Sequence, residues 1–203
     1  MNNLTVRGIT IRDSPMFHIV SQGGSHKRFS NLSLLSGCGF ATAPNTDGFN
    51  VGGDDIIVSN SHVRNGDDCL PFGGSNLLAE RVTCECGNSP GLYMDASINI
   101  TYRHHTSLRT AHGANLKAVG GGGGTVSNVL FDHLTIVEPQ QAALVIDAFG
   151  QWAAADDDTT AARGLRVAKA RVGEVDRHSA RNVTFRNVVR AHRSPAVPPS
   201  FRD

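Results

Sequence analysis

Two acidic clusters stand twenty residues apart in this chain: Asp47 within Asn45-Thr46-Asp47-Gly48-Phe49, and Asp67-Asp68 within Asn65-Gly66-Asp67-Asp68-Cys69. Held one strand spacing apart, three carboxyl groups cannot all ionise comfortably, so at least one keeps its proton to higher pH. A proton-bearing carboxyl beside an ionised one is the equipment for cleaving a glycosidic bond: the first protonates the leaving oxygen and the second activates a water. Asp68 to Asn88 is again 20 residues, and Asn88 to Asn115 is 27, with Lys117 two further on. This spacing predicts that Asp47, Asp67/Asp68, Asn88 and Asn115/Lys117 fall on four successive turns of one repeating structure. Lys117 is then a cation that either binds a substrate carboxylate or compensates the acids.

A scaffold able to stack those residues is visible in the rest of the chain. Segments that open with Asn or Asp and continue with alternating apolar residues start at Asn3, Asn31, Asp55, Asn76, Asn99, Asn128 and Asn182. The last interval is about twice the others, which run from 21 to 29 residues. Period-two alternation rich in Val, Ile, Leu and Thr, with Gly, Asn, Asp and Ser between, marks strands and turns rather than helices. A strand repeat of this length predicts an all-β fold, a parallel β-helix of about 6–8 coils, with asparagines laddered from coil to coil. Three segments follow: coils carrying the groove over 1–150, a low-complexity loop or disordered insertion over 151–181, and a final strand and extended tail over 182–203.

Other features narrow the function classes. The formal net charge of +1 provides no bulk field for nucleic acid or an anionic membrane. No apolar run is long enough to span a bilayer. The four cysteines (Cys38, Cys69, Cys84 and Cys86) do not form two CxxC pairs, which argues against zinc. Cys69 and Cys84 can be bridged if adjacent turns stack, or remain buried thiols. The glycine run Gly120–Gly124 lacks the lysine of a nucleotide loop and reads as a turn. His104 and His105, adjacent on a strand, point to opposite faces and cannot easily share a metal ion.

The paired acidic motifs resemble the first two signature motifs of the polygalacturonases, glycoside hydrolase family 28, usually NTDGF and NQDDC. The resemblance runs from about Asn31 to Gly150. It implies a right-handed single-stranded parallel β-helix, a pectin-lyase-like solenoid, that hydrolyses pectic polysaccharide with inversion, with Asp67 as general acid and Asp47 and Asp68 holding the attacking water. It implies a substrate-binding role for Asn45, Asn88, Asn115 and Lys117, and it supports the Cys69–Cys84 bridge. It also implies a secreted, cell-wall-degrading glycoprotein, a monomer without cofactor, with sequons at Asn3, Asn31, Asn99 and Asn182. Three positions depart from the pattern. Asn88 stands where the family has histidine, Asn115 replaces the arginine of its RIK motif, and Phe149 stands for a tyrosine. Arg103 and Arg109 are candidates to supply the missing guanidinium. The chain starts mid-pattern with no signal segment, as a truncated member would. Two alternatives stay open: a catalytically weakened carbohydrate-binding β-helix, and a calcium-dependent pectate-lyase-like enzyme using the three acids as ligands and Lys117 as base.

Overall fold

The computed structural model describes residues 1–88, 90–93, 97–117, 124–147, 166–167 and 179–191. Among them there is no helix, and the strand pairings are parallel from one end of the chain to the other. The long strands Phe49–Arg64, Phe72–Glu85, Ile98–Leu108 and Thr125–Val137 each lie beside the next, which makes the chain a parallel β-helix. Seven rungs can be followed along one interior row: Val6, Phe29, Val58, Ala79, Tyr102, Phe131 and Phe185. Its last three members stack nearly face to face, with Tyr102 and Phe131 at 4.7 Å and Phe131 and Phe185 at 4.8 Å. That is the strand spacing itself, so backbone pairing imposes the ring separation. The buried Tyr102 hydroxyl donates to the Gly91 carbonyl at 2.9 Å, satisfying the one polar atom in the stack.

The asparagine ladder is present. Asn99 Nδ2 donates to Asn76 Oδ1 at 3.1 Å, Asn128 to Asn99 at 3.1 Å, and Asn182 to Asn128 at 2.7 Å. All four have φ near +55°, the left-handed conformation that asparagine tolerates and most residues do not. Each therefore turns the corner into the strand that follows. Asn31 does not belong to this ladder. The register puts His26 between Asn3 and Asp55, while Asn31 aligns with Asn60 at a second corner. That second corner also runs through Arg81, His104, His133 and Asn187, all at positive φ. Reading one corner per coil merged two. His104 accordingly stacks on His133 at 4.7 Å, whereas His105 points inward and is 1% exposed. Of the four sequons, Asn99 and Asn182 spend their amide nitrogen in the ladder.

The doubled final interval is no missing rung: Ser179–Ala191 pairs directly with Thr125–Val137. Within 151–181 only Arg166–Val167, which pairs with Val145 and Ile146, and the start of the last strand are described. Gly120 to Gly123 and Phe149 lie outside the described residues. All four cysteines are bridged, Cys69 to Cys84 and Cys38 to Cys86. The second bridge, unforeseen in the sequence, ties the loop before Asn45 to the turn that carries Asn88.

Candidate active site

The three acids lie where successive coils turn into a strand of the sheet. His18 N–H donates to the Asp47 carbonyl at 2.8 Å, Gly48 N–H to the Asp68 carbonyl at 2.9 Å, and Asn88 N–H to the Asp67 carbonyl at 2.8 Å. These bonds stack the Asp47, Asp67-Asp68 and Asn88 turns rung upon rung, as the twenty-residue intervals require. Glycine makes the close approach possible. A Cβ on Gly66 would sit 2.1 Å from the Ala43 carbonyl oxygen, and one on Gly87 would sit 2.2 Å from the Asp67 carbonyl oxygen. Any side chain there would push the turns apart. Asn65, fully buried, donates from Nδ2 to the Thr46 carbonyl at 2.8 Å and to the Asp68 carbonyl at 3.0 Å. Asn65 thus clamps the two acidic turns to each other from inside.

Asp47, Asp67 and Asp68 are 4%, 9% and 1% exposed. Asp67 accepts at Oδ1 from Asn88 Nδ2 (2.7 Å) and from its neighbour's amide, Asp68 N–H (2.8 Å), and at Oδ2 from Asn45 N–H (3.2 Å). Asn88 Nδ2 also reaches Asp68 Oδ1 at 3.2 Å. Lys117 Nζ lies 2.5 Å from Asp68 Oδ2. Asp47 receives a long bond from Asn50 Nδ2 at 3.5 Å. Burial, reinforced by the charges of Asp68 and Asp67 and opposed by Lys117, pushes its carboxyl up to about 7. Burial first and Asp68 second also raise Asp67, against the Asp68 and Asn45 amides and Lys117, which pull it down. At neutral pH the cluster therefore holds a proton beside ionised carboxylate, the division of labour expected of a general acid and a base.

Asn45 meets Asp67 through its backbone N–H. Asn88 bonds both acids through Nδ2. The expected register needs correction at one place. Asn115 and Lys117 do not continue the Asn88 row. They pair with Gly91 and Tyr93, deeper in the strand, and the turn under Asn88 is Ala111-His112, whose N–H groups donate to the Gly87 and Asn88 carbonyls. The coil here is 24 residues long, counting from Asn88 to His112, and the 27-residue interval overshot it. Asn115 is 7% exposed with Oδ1 unpartnered, while the long side chain of Lys117 still reaches Asp68. Arg103 and Arg109 do not replace the absent guanidinium, because they are committed to Glu80 and Glu85. Asn50, His112 and the segment Phe17–Val20 were missed. His112 and Phe17 lie one coil length from Asn88 and Asp47, which was the available signal, whereas Asn50 follows Asp47 by three residues on the same coil.

The sequence as a whole agrees with this geometry. Residues 1–185 match the family model of the Glycosyl hydrolases family 28. The chain belongs to that family. It is 31% identical over 157 residues to a polygalacturonase of Prunus persica, covering 72% of this chain and 39% of that protein. It is 28% identical over 172 residues to endo-xylogalacturonan hydrolase A of Aspergillus tubingensis, covering 77% of this chain and 41% of that protein. Among solved structures, a polygalacturonase of Erwinia carotovora superposes with a TM-score of 0.59 at 15% identity, over 91% of this chain and 58% of that one. The family 28 chain described here thus spans about two fifths of the length of the curated relatives it matches.

Proposed function

We propose that this chain carries the catalytic groove of a polygalacturonase-type glycosidase that hydrolyses a pectic polysaccharide with inversion at the anomeric carbon. The observation that carries the reading is the convergence of Asp47, Asp67 and Asp68 from two stacked turns, buried, with Lys117 and Asn88 bonded to them. Asp67 hands its proton to the glycosidic oxygen as that bond breaks. Asp47 and Asp68 orient a water and take its proton as its oxygen bonds to the sugar carbon from the opposite face. The three carboxyls titrate as a set, so the reactive form is the one in which the cluster retains a proton on Asp67 while a partner is ionised. Lys117 balances the remaining negative charge. A secreted, cell-wall setting belongs to the same proposal.

Asn88 keeps the hydrogen bond to Asp67 but cannot titrate, so the general acid is positioned without a second ionisable ring. Asn115 is buried and offers no fork to a carboxylate. These two replacements favour a second reading, binding of the polysaccharide with weak turnover. The calcium-dependent eliminase receives less support, since an ammonium already sits 2.5 Å from Asp68.

The test is reducing-sugar release from polygalacturonate and rhamnogalacturonan, with and without EDTA. Asp67→Asn is expected to abolish release while the far-ultraviolet circular dichroism stays that of the wild type. Unchanged activity in that variant refutes the general-acid assignment. Chelator-sensitive products absorbing near 235 nm would establish the eliminase, and oligosaccharide binding without turnover the weakened form.

A further inference from the structure

Of the seven residues in the interior row, Tyr102 alone carries a hydroxyl, and that hydroxyl crosses the core to the strands of the groove. Its proton is shared between the Gly91 carbonyl at 2.9 Å and, more weakly, the Leu70 carbonyl at 3.4 Å. Leu70 follows Asp68 by two residues, and Gly91 lies opposite Asn115 in the strand pair that seats Lys117. The Lys117–Asp68 bond on the groove side therefore crosses the junction that the hydroxyl ties from beneath. Backbone pairing at that junction is sparse. Among the described residues the ladder between Phe72–Glu85 and Gly91–Tyr93 is the single pair Phe72–Leu92, with the Asn88 N–H bond to the Asp67 carbonyl at its turn end. Pro71 and Pro90 bring no N–H to it. Phe49–Arg64 and Phe72–Glu85, by contrast, run in register from Val51 to Arg64. The Tyr102 ring adds support: it is 1% exposed, stacks on Phe131, and lies 5.6 Å from Phe72, the groove-strand member of the single pair. Burial first, then the Asp68 charge, holds the phenol proton well above its ordinary range, so the hydroxyl stays a donor.

We propose that Tyr102 is a positioning residue for the acidic cluster: acting through the Gly91 and Leu70 carbonyls, its hydroxyl holds the groove rungs together and so sets the Lys117–Asp68 contact. The inference rests on the hydrolase reading above. At 1% exposure Tyr102 does not meet substrate; it fixes where other groups stand. Packing alone does not account for the hydroxyl, since the next two rungs of the row fill the same place with Phe131 and Phe185. A small shift between the rungs would leave most of the sugar-binding surface in place. It would move the ammonium off the carboxylate that orients the water, and chemistry falls steeply with such misplacement.

The test is steady-state kinetics on polygalacturonate and rhamnogalacturonan for the full chain, for Tyr102→Phe, and for Phe185→Ala, which opens the far end of the same stack without touching Tyr102. All three are compared at a temperature at which circular dichroism shows them folded. Tyr102→Phe is expected to lower kcat about tenfold and to leave KM within about twofold. Phe185→Ala is expected to lower the melting temperature and leave kcat unchanged. A wild-type kcat in Tyr102→Phe, a loss carried by KM, or an equal loss of kcat in Phe185→Ala overturns the proposal. If the wild type cleaves neither polymer, the hydrolase reading fails, and the tie is judged by urea unfolding of Tyr102→Phe, Lys117→Met and the double variant. A double variant destabilised by less than the sum of the two upholds it, because both substitutions then break one arrangement; simple additivity overturns it.

Discussion

Replacing Asp47 with asparagine should stabilise the protein above neutral pH while removing its activity. Asp47 is 4% exposed, receives a long hydrogen bond from Asn50, and faces the charges of Asp68 and Asp67. Its carboxyl is raised from the ordinary 3.8 to about 7, so the folded protein binds that proton more tightly than the unfolded chain does. The corresponding stability is fully present below pH 3.8 and is lost as pH rises through about 7. At about 1.36 kcal/mol per tenfold change in proton affinity, complete ionisation costs about 4 kcal/mol. Asp47 borders the groove and shares its proton with neighbours, which brings the expected figure to about 2–4 kcal/mol. Asparagine keeps the shape and never ionises. Urea unfolding of wild type and Asp47→Asn at pH 4, 6 and 8 measures the difference as the midpoint shift multiplied by the slope. The variant should gain about 2–4 kcal/mol at pH 8 and about nothing at pH 4. Equal stability at pH 8, or a gain that does not vary with pH, would refute the account of a strained, buried carboxyl cluster.

The remaining predictions concern what holds that cluster. Lys117→Met leaves Asp68, 1% exposed, without this cation, and should cost about 3–5 kcal/mol near neutral pH, with the deficit shrinking as acid neutralises the carboxylates. A deficit that grew on acidification would show that Lys117 does not balance the acids. The Cys38–Cys86 bridge closes a span of 48 residues, so Cys38→Ser with Cys86→Ser should lower stability by about 4 kcal/mol in denaturant unfolding. Because the bridge also anchors the Asn88 turn, kcat on the pectic substrate should fall in the same double variant even under conditions where it is fully folded. Activity identical to wild type would make the bridge purely a staple.

Much of the solenoid was legible in the residues. Alternating Val, Ile, Leu and Thr between asparagine corners is what a stacked strand must look like, because each side chain alternates between the interior and the outside. The ladder through Asn76, Asn99, Asn128 and Asn182 follows from that pattern. So does the stacking of Asp47 on Asp67-Asp68, since their interval equals one coil. Asn31 was misplaced because two left-handed corners per coil draw on the same residue types. A one-dimensional count cannot separate them until register does.

The sequence by itself determined the winding, the three acids, and the motifs that place this chain in glycoside hydrolase family 28. These are properties of composition and interval, which survive without coordinates. Tertiary structure alone decided which donors meet those acids. It set Asn88 on Asp67, Asn45 through its backbone, Lys117 across two coils onto Asp68, and Arg103 and Arg109 onto other carboxylates. It also paired Cys38 with Cys86 and put Phe17 beside Asp47. Coil lengths vary by several residues, and one residue of slip turns a side chain from the groove to the interior. Only the hydrogen bonds between rungs resolve that slip.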